Sequence, residues 1–347
     1  MTRAAIVGTG YVGRVHALAL RAIGVEVAAV CGRTLESAEA FREGRPYADL
    51  AELLEIEPVD VLHVCSPNGA HAVQALAALE RGVHVVCEKP LAVSTAESRA
   101  LVEAAAESGL VNAVCYHSRS YPLVEQMRVD VASGAVGEVA FVHGRYLCDD
   151  ILYTADSWRL DPARSGPSYV VADLGTHWLD LAEHVTGRHV AEVYADFRSM
   201  SGGPLEDYAA LLLRFDGGLP GSLLLSAGAA GRKNQLLFEL EGMKAGLTWD
   251  QELPTEMLFR PLDGPKQIVV KDPGSNTESA QNLSRYPAGH GEGFGSAFRN
   301  LFESVYDAVA GRPHRPFPTF EDGHRGVATV EAAIASARAG AWAPVST

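Results

Sequence analysis

Three groups of residues in this 347-residue chain have types and spacings suited to chemistry. The first is Gly8-Thr9-Gly10-Tyr11-Val12-Gly13, a G-x-G-x-x-G run. The spacing alone is weak, but here it ends a short apolar strand and opens a helix, the context that dinucleotide binding requires. Gly8 permits the tight turn, Gly10 the close approach of a pyrophosphate and Gly13 the packing of helix on strand. Amide donors and the helix dipole then face the phosphates. The plainer reading is an ordinary strand-to-helix turn. NAD-preferring versions place an Asp or Glu about 20 residues on, at the end of the second strand. Here that strand ends Cys31-Gly32-Arg33-Thr34, and the first carboxylate is Glu36. Arg33 suits a 2′-phosphate and Thr34 can donate to it, so NADP is favoured over NAD. The alternative for Arg33 is a solvated surface charge.

The second group is Glu88-Lys89-Pro90, which follows the apolar run 83–87. A lysine at the carboxyl end of a parallel strand points toward the crevice where open α/β sheets bind ligands. The third group is the segment 173–184. If it is helical, Asp173, His177, Asp180 and His184 share one face, while Leu174, Trp178, Leu181 and Val185 form the adjacent apolar face. Three readings of that Asp/His stripe stay open: a metal site, which no H-E-x-x-H or cysteine spacing supports; a solvated or internally bonded polar face; and an acid–base pair, in which a carboxylate orients an imidazole that titrates near neutrality.

The elements that must hold these groups follow from periodicity. Strand-like runs at 4–7, 25–30, 59–65, 83–87 and 111–116 alternate with alanine-rich amphipathic stretches at 16–23, 70–81 and 95–107. Ser94-Thr95-Ala96-Glu97 reads as a capping box opening the last of these. Apolar strands separated by helices indicate a doubly wound parallel sheet. Beyond residue 120 a helix-like segment at 174–185 precedes alternating runs at 190–198, 207–215, 219–226, 235–241 and 267–270. Asp216-Gly217-Gly218 between two of them is a hairpin signal. Alternation joined by tight turns indicates an antiparallel sheet with one covered face. Residues 272–295 read as a long loop, and helices are expected at 296–309 and 323–339. The fold class is therefore an α/β Rossmann domain, residues 1–120, followed by an α+β domain, residues 121–347, with a large open and mainly antiparallel sheet. The C-terminal helix can pack back on the first domain.

Composition narrows the function classes. The 29 basic and 43 acidic residues leave a net charge of −14, which argues against nucleic acid or an anionic membrane as partner. Cys31, Cys65, Cys87, Cys115 and Cys148 show no metal or redox spacing and mostly end apolar runs, so they read as small buried hydrophobes. The start, MTRAAIVGTG, is neither a signal peptide nor a span, and nothing reaches ~18 consecutive apolar residues, so a cytoplasmic protein is expected.

Taken together, the motifs resemble the Gfo/Idh/MocA oxidoreductases, the glucose–fructose oxidoreductase and inositol dehydrogenase family, over essentially the whole chain. The markers are Gly8 to Gly13 with His16, Ser66-Pro67-Asn68 through His71, Glu88-Lys89-Pro90, Arg119 with Pro122, Ser133-Gly134 through Gly137-Glu138, Trp158-Arg159, Asp173 with Gly175, His177 and Asp180, and Pro318-Thr319-Phe320 with Gly323. The resemblance implies catalytic roles for Lys89, Asp173 and His177. In these, His177 takes the proton of a substrate hydroxyl as hydride moves to nicotinamide, Lys89 steadies the alkoxide, and Asp173 orients the imidazole or contacts a neighbouring hydroxyl. It places Ser66, Pro67, Asn68, His71, Glu88 and Lys89 with the glycine run, Gly32, Arg33 and Thr34 at the cofactor. It leaves Arg119, Trp158, Arg159 and His290 beside the catalytic trio as substrate contacts, with no metal. Two positions depart from the family pattern: Gly166-Pro167-Ser168, where a glycine-rich run is expected, and His117. The implied substrate is a sugar, cyclitol or related polyol, and the second sheet implies a homo-oligomer, dimer or tetramer. The rivals are a non-catalytic NAD(P)-binding regulator and an enzyme using transient oxidation for elimination or hydrolysis. Loops at 148–164 and 273–295 are expected to shape the substrate pocket. Arg33, Lys89, Arg119 and Arg159 lead to the expectation of a locally basic site.

Overall fold

The computed structural model describes residues 2–153 and 157–347; residues 154–156, inside the expected pocket-shaping stretch 148–164, lie outside that description. The chain divides into two compact units. One comprises Met1–Tyr116, Ala163–Gly166 and Phe298–Val327, and the other His117–Pro162, Pro167–Ala297 and Ala328–Thr347.

The first unit holds a six-stranded sheet of β1 (Arg3–Val7), β2 (Glu26–Cys31), β3 (Arg45–Tyr47), β4 (Val61–Val64), β5 (His84–Cys87) and β6 (Asn112–Val114). Its order is β3-β2-β1-β4-β5-β6 and all pairings are parallel. Strands with almost no exposed side chain are what a sheet covered on both faces needs. Crossover helices include α1 (Tyr11–Ala22), α2 (His71–Leu79) and α3 (Thr95–Ser108). Ser94 caps α3 by accepting from Glu97 N at 3.3 Å, but the Glu97 carboxylate turns to Val93 N at 3.2 Å, so only half of the expected capping box forms. The short β3 escapes periodicity because Arg-Pro-Tyr has no alternation, and its proline is tolerated on an edge strand.

The second unit is built on β7 (Val139–Leu147), β8 (Val190–Arg198), β9 (Tyr208–Phe215), β10 (Pro220–Ser226), β11 (Gln235–Gly242), β12 (Ala245–Asp250), β13 (Glu256–Pro261), β14 (Gln267–Val270) and β15 (Ala343–Pro344). The order is β14-β13-β12-β11-β7-β10-β9-β8-β15, antiparallel except between β7 and β10. The Asp216-Gly217-Gly218 turn joins β9 to β10 as expected. Two helices, α4 (Pro122–Ala132) and α5 (Thr176–Thr186), pack with this sheet in one hydrophobic core that includes Leu123, Met127, Trp178, Leu181, Leu211, Leu223 and Phe238. Central strand β7 breaks its alternation at Gly144. A Cβ there would lie 2.1 Å from Leu237 O and 2.3 Å from Trp178 Nε1. The missing side chain lets the Trp178 indole settle on the sheet and donate to Leu237 O at 3.0 Å. The expected loop 272–295 contains a short helix, Glu278–Gln281, and is tied at its base by buried Lys271, whose Nζ is 2.7 Å from both Glu292 Oε2 and Tyr286 O. The chain continues with α6 (Phe294–Val309) and α7 (Phe320–Ala339).

Candidate active site

In the first unit the expected cofactor residues lie at the carboxyl ends of parallel strands, except His71, which opens α2. The glycine run follows β1, Gly32-Arg33-Thr34 follows β2, Ser66-Pro67-Asn68 comes just after β4, and Glu88-Lys89 follows β5. With β1 and β4 adjacent in the sheet, the strand order reverses there, at the position where doubly wound sheets bind nucleotides. Gly8 has φ +106°, and a Cβ on it would strike the Cys65 carbonyl at 2.4 Å; one on Gly13 would strike Gly8 O at 2.3 Å. A Cβ on Gly10 would meet nothing within 4 Å. Packing therefore dictates Gly8 and Gly13, whereas no contact within the chain dictates Gly10. Gly10 is also the N-cap of α1, so no side chain caps that helix and no acidic residue sits in its first turn. Helix-start amides without a capping side chain beside open space fit a pyrophosphate.

Arg33 is exposed beyond β2. Thr34 is the N-cap of a short helix and accepts from Ser37 N at 3.2 Å, which occupies a lone pair and leaves its hydroxyl proton. Ser66 donates to Gln74 at 2.6 Å and Asn68 to Ser165 O at 3.0 Å. The buried His71 ring bridges two loops, with Nδ1 2.8 Å from Pro90 O and Nε2 2.9 Å from Ser66 O. Burial lowers its pKa. Lys89 is half-buried, and its backbone N–H donates to Glu88 Oε2 at 3.2 Å.

In the second unit the Asp/His stripe is not one regular helix. Val171–Gly175 forms a π-helical turn that hands over to α5 at Thr176. Wider turns of this kind are often found at functional sites. The four side chains take separate partners. Asp173 accepts from Arg159 Nε at 3.1 Å, and the carboxylate raises the pKa of that guanidinium. Asp180 holds Arg119 through contacts of 2.9 and 3.0 Å to Nε. His184 lies 3.6 Å from Glu125. His177 is buried, with its ring 5.1 Å from that of His117 and 6.1 Å from that of Tyr146. Of the four cations behind the expectation of a locally basic site, Arg119 and Arg159 are each matched by a carboxylate of the stripe. Trp158 is half-buried under the Arg159 guanidinium, 5.0 Å from its ring centroid. His290 sits exposed in its loop, with Nδ1 3.4 Å from Ala288 O.

The π-helical turn is anchored by a residue that the sequence reading missed. Glu206 Oε1 accepts from Ser168 Oγ at 2.5 Å, Tyr169 N at 2.9 Å and Val171 N at 3.3 Å. Burial raises its pKa against those hydrogen bonds. Glu206 precedes the register of β9 in a turn-like sequence, so no local pattern distinguishes it. Gly144 and Tyr146 on β7 were missed as well, because that strand was not expected.

Residues 2–116 match the family of oxidoreductases with an NAD-binding Rossmann fold, and residues 124–248 match the Gfo/Idh/MocA C-terminal domain. The chain belongs to the Gfo/Idh/MocA oxidoreductase family. An inositol dehydrogenase homolog from Azotobacter vinelandii, solved with NAD+, is 30% identical and superposes with a TM-score of 0.91 over 99% of this chain and 97% of that one. The same homolog has been solved with NADH and myo-inositol. Levoglucosan dehydrogenase of Pseudarthrobacter phenanthrenivorans is 27% identical over 293 residues, 73% of this chain and 74% of the relative. D-glucoside 3-dehydrogenase of Escherichia coli is 35% identical over 198 residues, 53% of this chain and 54% of the relative. This Gfo/Idh/MocA member is thus an oxidoreductase whose glycine run lies in the NAD-binding domain. No helix among its described residues is long and apolar enough to cross a membrane.

Proposed function

We propose that this oxidoreductase moves hydride between a nicotinamide dinucleotide, NADP in preference to NAD, and a secondary hydroxyl or ketone of a sugar, cyclitol or related polyol. The carrying observation is that it keeps both a lysine at the end of β5 and a buried imidazole, His177, on the first turn after a π-helical segment. When bound, the nicotinamide supplies the hydride acceptor in the oxidative direction and the donor in the reverse. His177 takes the hydroxyl proton as general base, and returns it as general acid in reduction. The Lys89 ammonium steadies the developing alkoxide, since a fixed cation favours the charge that forms only on the way to the ketone. Asp173, held by Arg159, accepts a hydrogen bond from the imidazole or from a neighbouring substrate hydroxyl. Gly8, Thr9, Gly10, Tyr11, Val12 and Gly13 hold the pyrophosphate, and Arg33 with Thr34 the 2′-phosphate. The names of the relatives support the substrate class. The cofactors solved with the relatives are NAD+ and NADH, so the NADP preference rests on Arg33 and the missing carboxylate alone.

We also propose a homo-oligomer through the second sheet, one face of which leaves Phe141, Leu212 and Leu224 exposed on β7, β9 and β10. Reduced-nicotinamide absorbance followed against a panel of sugars and inositols tests the reaction. Turnover with at least one of them, lost in His177→Ala while cofactor still binds, is the expected result. A His177→Ala variant with parental turnover on every productive substrate contradicts the mechanism.

A further inference from the structure

Within the first unit a buried chain of titratable side chains runs into the residue before Lys89. Tyr306 Oη lies 2.9 Å from His63 Nε2, and His63 Nδ1 lies 2.9 Å from His16 Nδ1. His16 Nε2 is 3.0 Å from Glu88 Oε1, and Glu88 Oε2 accepts from the backbone N–H of Lys89 at 3.2 Å. Four elements contribute: α6, β4, α1 and the end of β5. Phe298 and Phe302, two turns and one turn before Tyr306 on α6, bring their rings to 5.4 and 4.8 Å from His16. Both imidazoles are fully buried.

A neutral imidazole has one donor and one acceptor nitrogen, so only two directions satisfy every contact in this chain. In the first, Tyr306 O–H donates to His63 Nε2, His63 Nδ1–H to His16 Nδ1, and His16 Nε2–H to an ionised Glu88. In the second every proton is reversed and Glu88 is a neutral acid. The first gives a buried carboxylate two N–H donors, the arrangement its burial demands. The Cys65 Sγ also lies 3.2 Å from His16 Nδ1, the nitrogen whose single lone pair this direction commits to His63. His16, Glu88 and Cys115 bring ligand-type atoms within 4.8 Å of one another, but the first direction places a proton on the His16 nitrogen a metal would need.

We propose that Tyr306, His63 and His16 form a tautomer-locked relay that holds Glu88 as a carboxylate and, through it, fixes the backbone from which the Lys89 ammonium is presented. All four are positioning residues, and their purpose rests on the reading of Lys89 given above. Long-range 15N–1H NMR of histidine-labelled enzyme at pH 7.5 reads the direction without any activity. Protons on His16 Nε2 and His63 Nδ1 are expected; the opposite tautomers, an imidazolium at either ring, or a bound zinc ion in the purified enzyme would overturn the relay. Glu88→Gln, which keeps shape but turns one acceptor into a donor, should lower kcat at least about tenfold at a near-constant substrate KM. Tyr306→Phe should lower it less and move the His63 15N shifts. Parental kcat in Glu88→Gln, with turnover lost in Lys89→Met, would remove the positioning role and leave Lys89 catalytic. Turnover retained in Lys89→Met would instead overturn the reading of Lys89 and with it the purpose of the relay.

Discussion

The loop after β1 and the π-helical turn before α5 both shape the start of a helix, and they do so by opposite means. The loop works by omission: a Cβ on Gly8 or Gly13 would strike backbone at 2.4 and 2.3 Å, and Gly10 leaves space open. The turn works by pairing, with Glu206 fixing its first amides and Arg159 and Arg119 meeting Asp173 and Asp180. A region built on absent side chains can be written in six consecutive residues. A region built on paired charges must recruit partners from separate segments of the chain.

Several substitutions can break that contrast. The largest effect is expected at the paired region's chemical centre, where His177→Ala should lower kcat by roughly 10²–10⁴-fold, the usual contribution of a general base, with cofactor titration unchanged. Next is Glu206→Ala, which strands one hydroxyl and two amides and should destabilise the fold by about 3 kcal/mol in denaturant unfolding. Glu206→Gln should recover much of this, because all three donors converge on one oxygen, Oε1, that an amide can replace. If alanine and glutamine behave alike, pairing is not what holds the turn.

In the loop, Gly10→Ala should leave thermal unfolding unchanged while weakening dinucleotide binding by more than about tenfold, near 1.4 kcal/mol, in fluorescence titration. A loss of stability instead would mean that the open space is structural. Arg33→Ala should weaken NADP by about tenfold and NAD hardly at all, and equal effects would remove the 2′-phosphate assignment.

The smallest effect concerns pH. Burial lowers the pKa of His63 in the first unit and of His184 in the second. Each is neutral when folded and takes up a proton when unfolded, so its stabilisation is complete above pH 6.5 and declines as pH falls below it. The limit is about 1.4 kcal/mol per pH unit for each group. Glu125, lowered to about 2, acts in a more acidic window, losing its contribution only below pH 4.5. Melting temperature should therefore fall between pH 7.5 and 5.5, and His184→Gln should flatten part of that slope; an unchanged slope would assign the loss to the first unit.

How legible the molecule was follows the same division. The β1 and β5 strands, the glycine run and the Asp216-Gly217-Gly218 hairpin could be read directly, because each is a local pattern of apolar residues or of glycines needing unusual φ. The strand β7 was not, since Gly144 interrupts its alternation for the sake of an indole from α5. The Asp/His stripe was found but its geometry was not, because a π-helical turn shifts the phase between Asp173 and His177.

By itself, then, the sequence determined the parallel sheet, the site of the dinucleotide loop, the family and the residues at the strand ends. These depend on contacts within a few residues or on repeated hydrophobic periods. Only the tertiary structure decided that Arg119 and Arg159 are paired rather than bare, that Glu206 holds the turn, and that Tyr306 reaches His63. Those arrangements join residues from 14 to 243 positions apart. A buried charge or imidazole takes its partner from whichever element packs beside it, and that neighbour is set by the assembled fold.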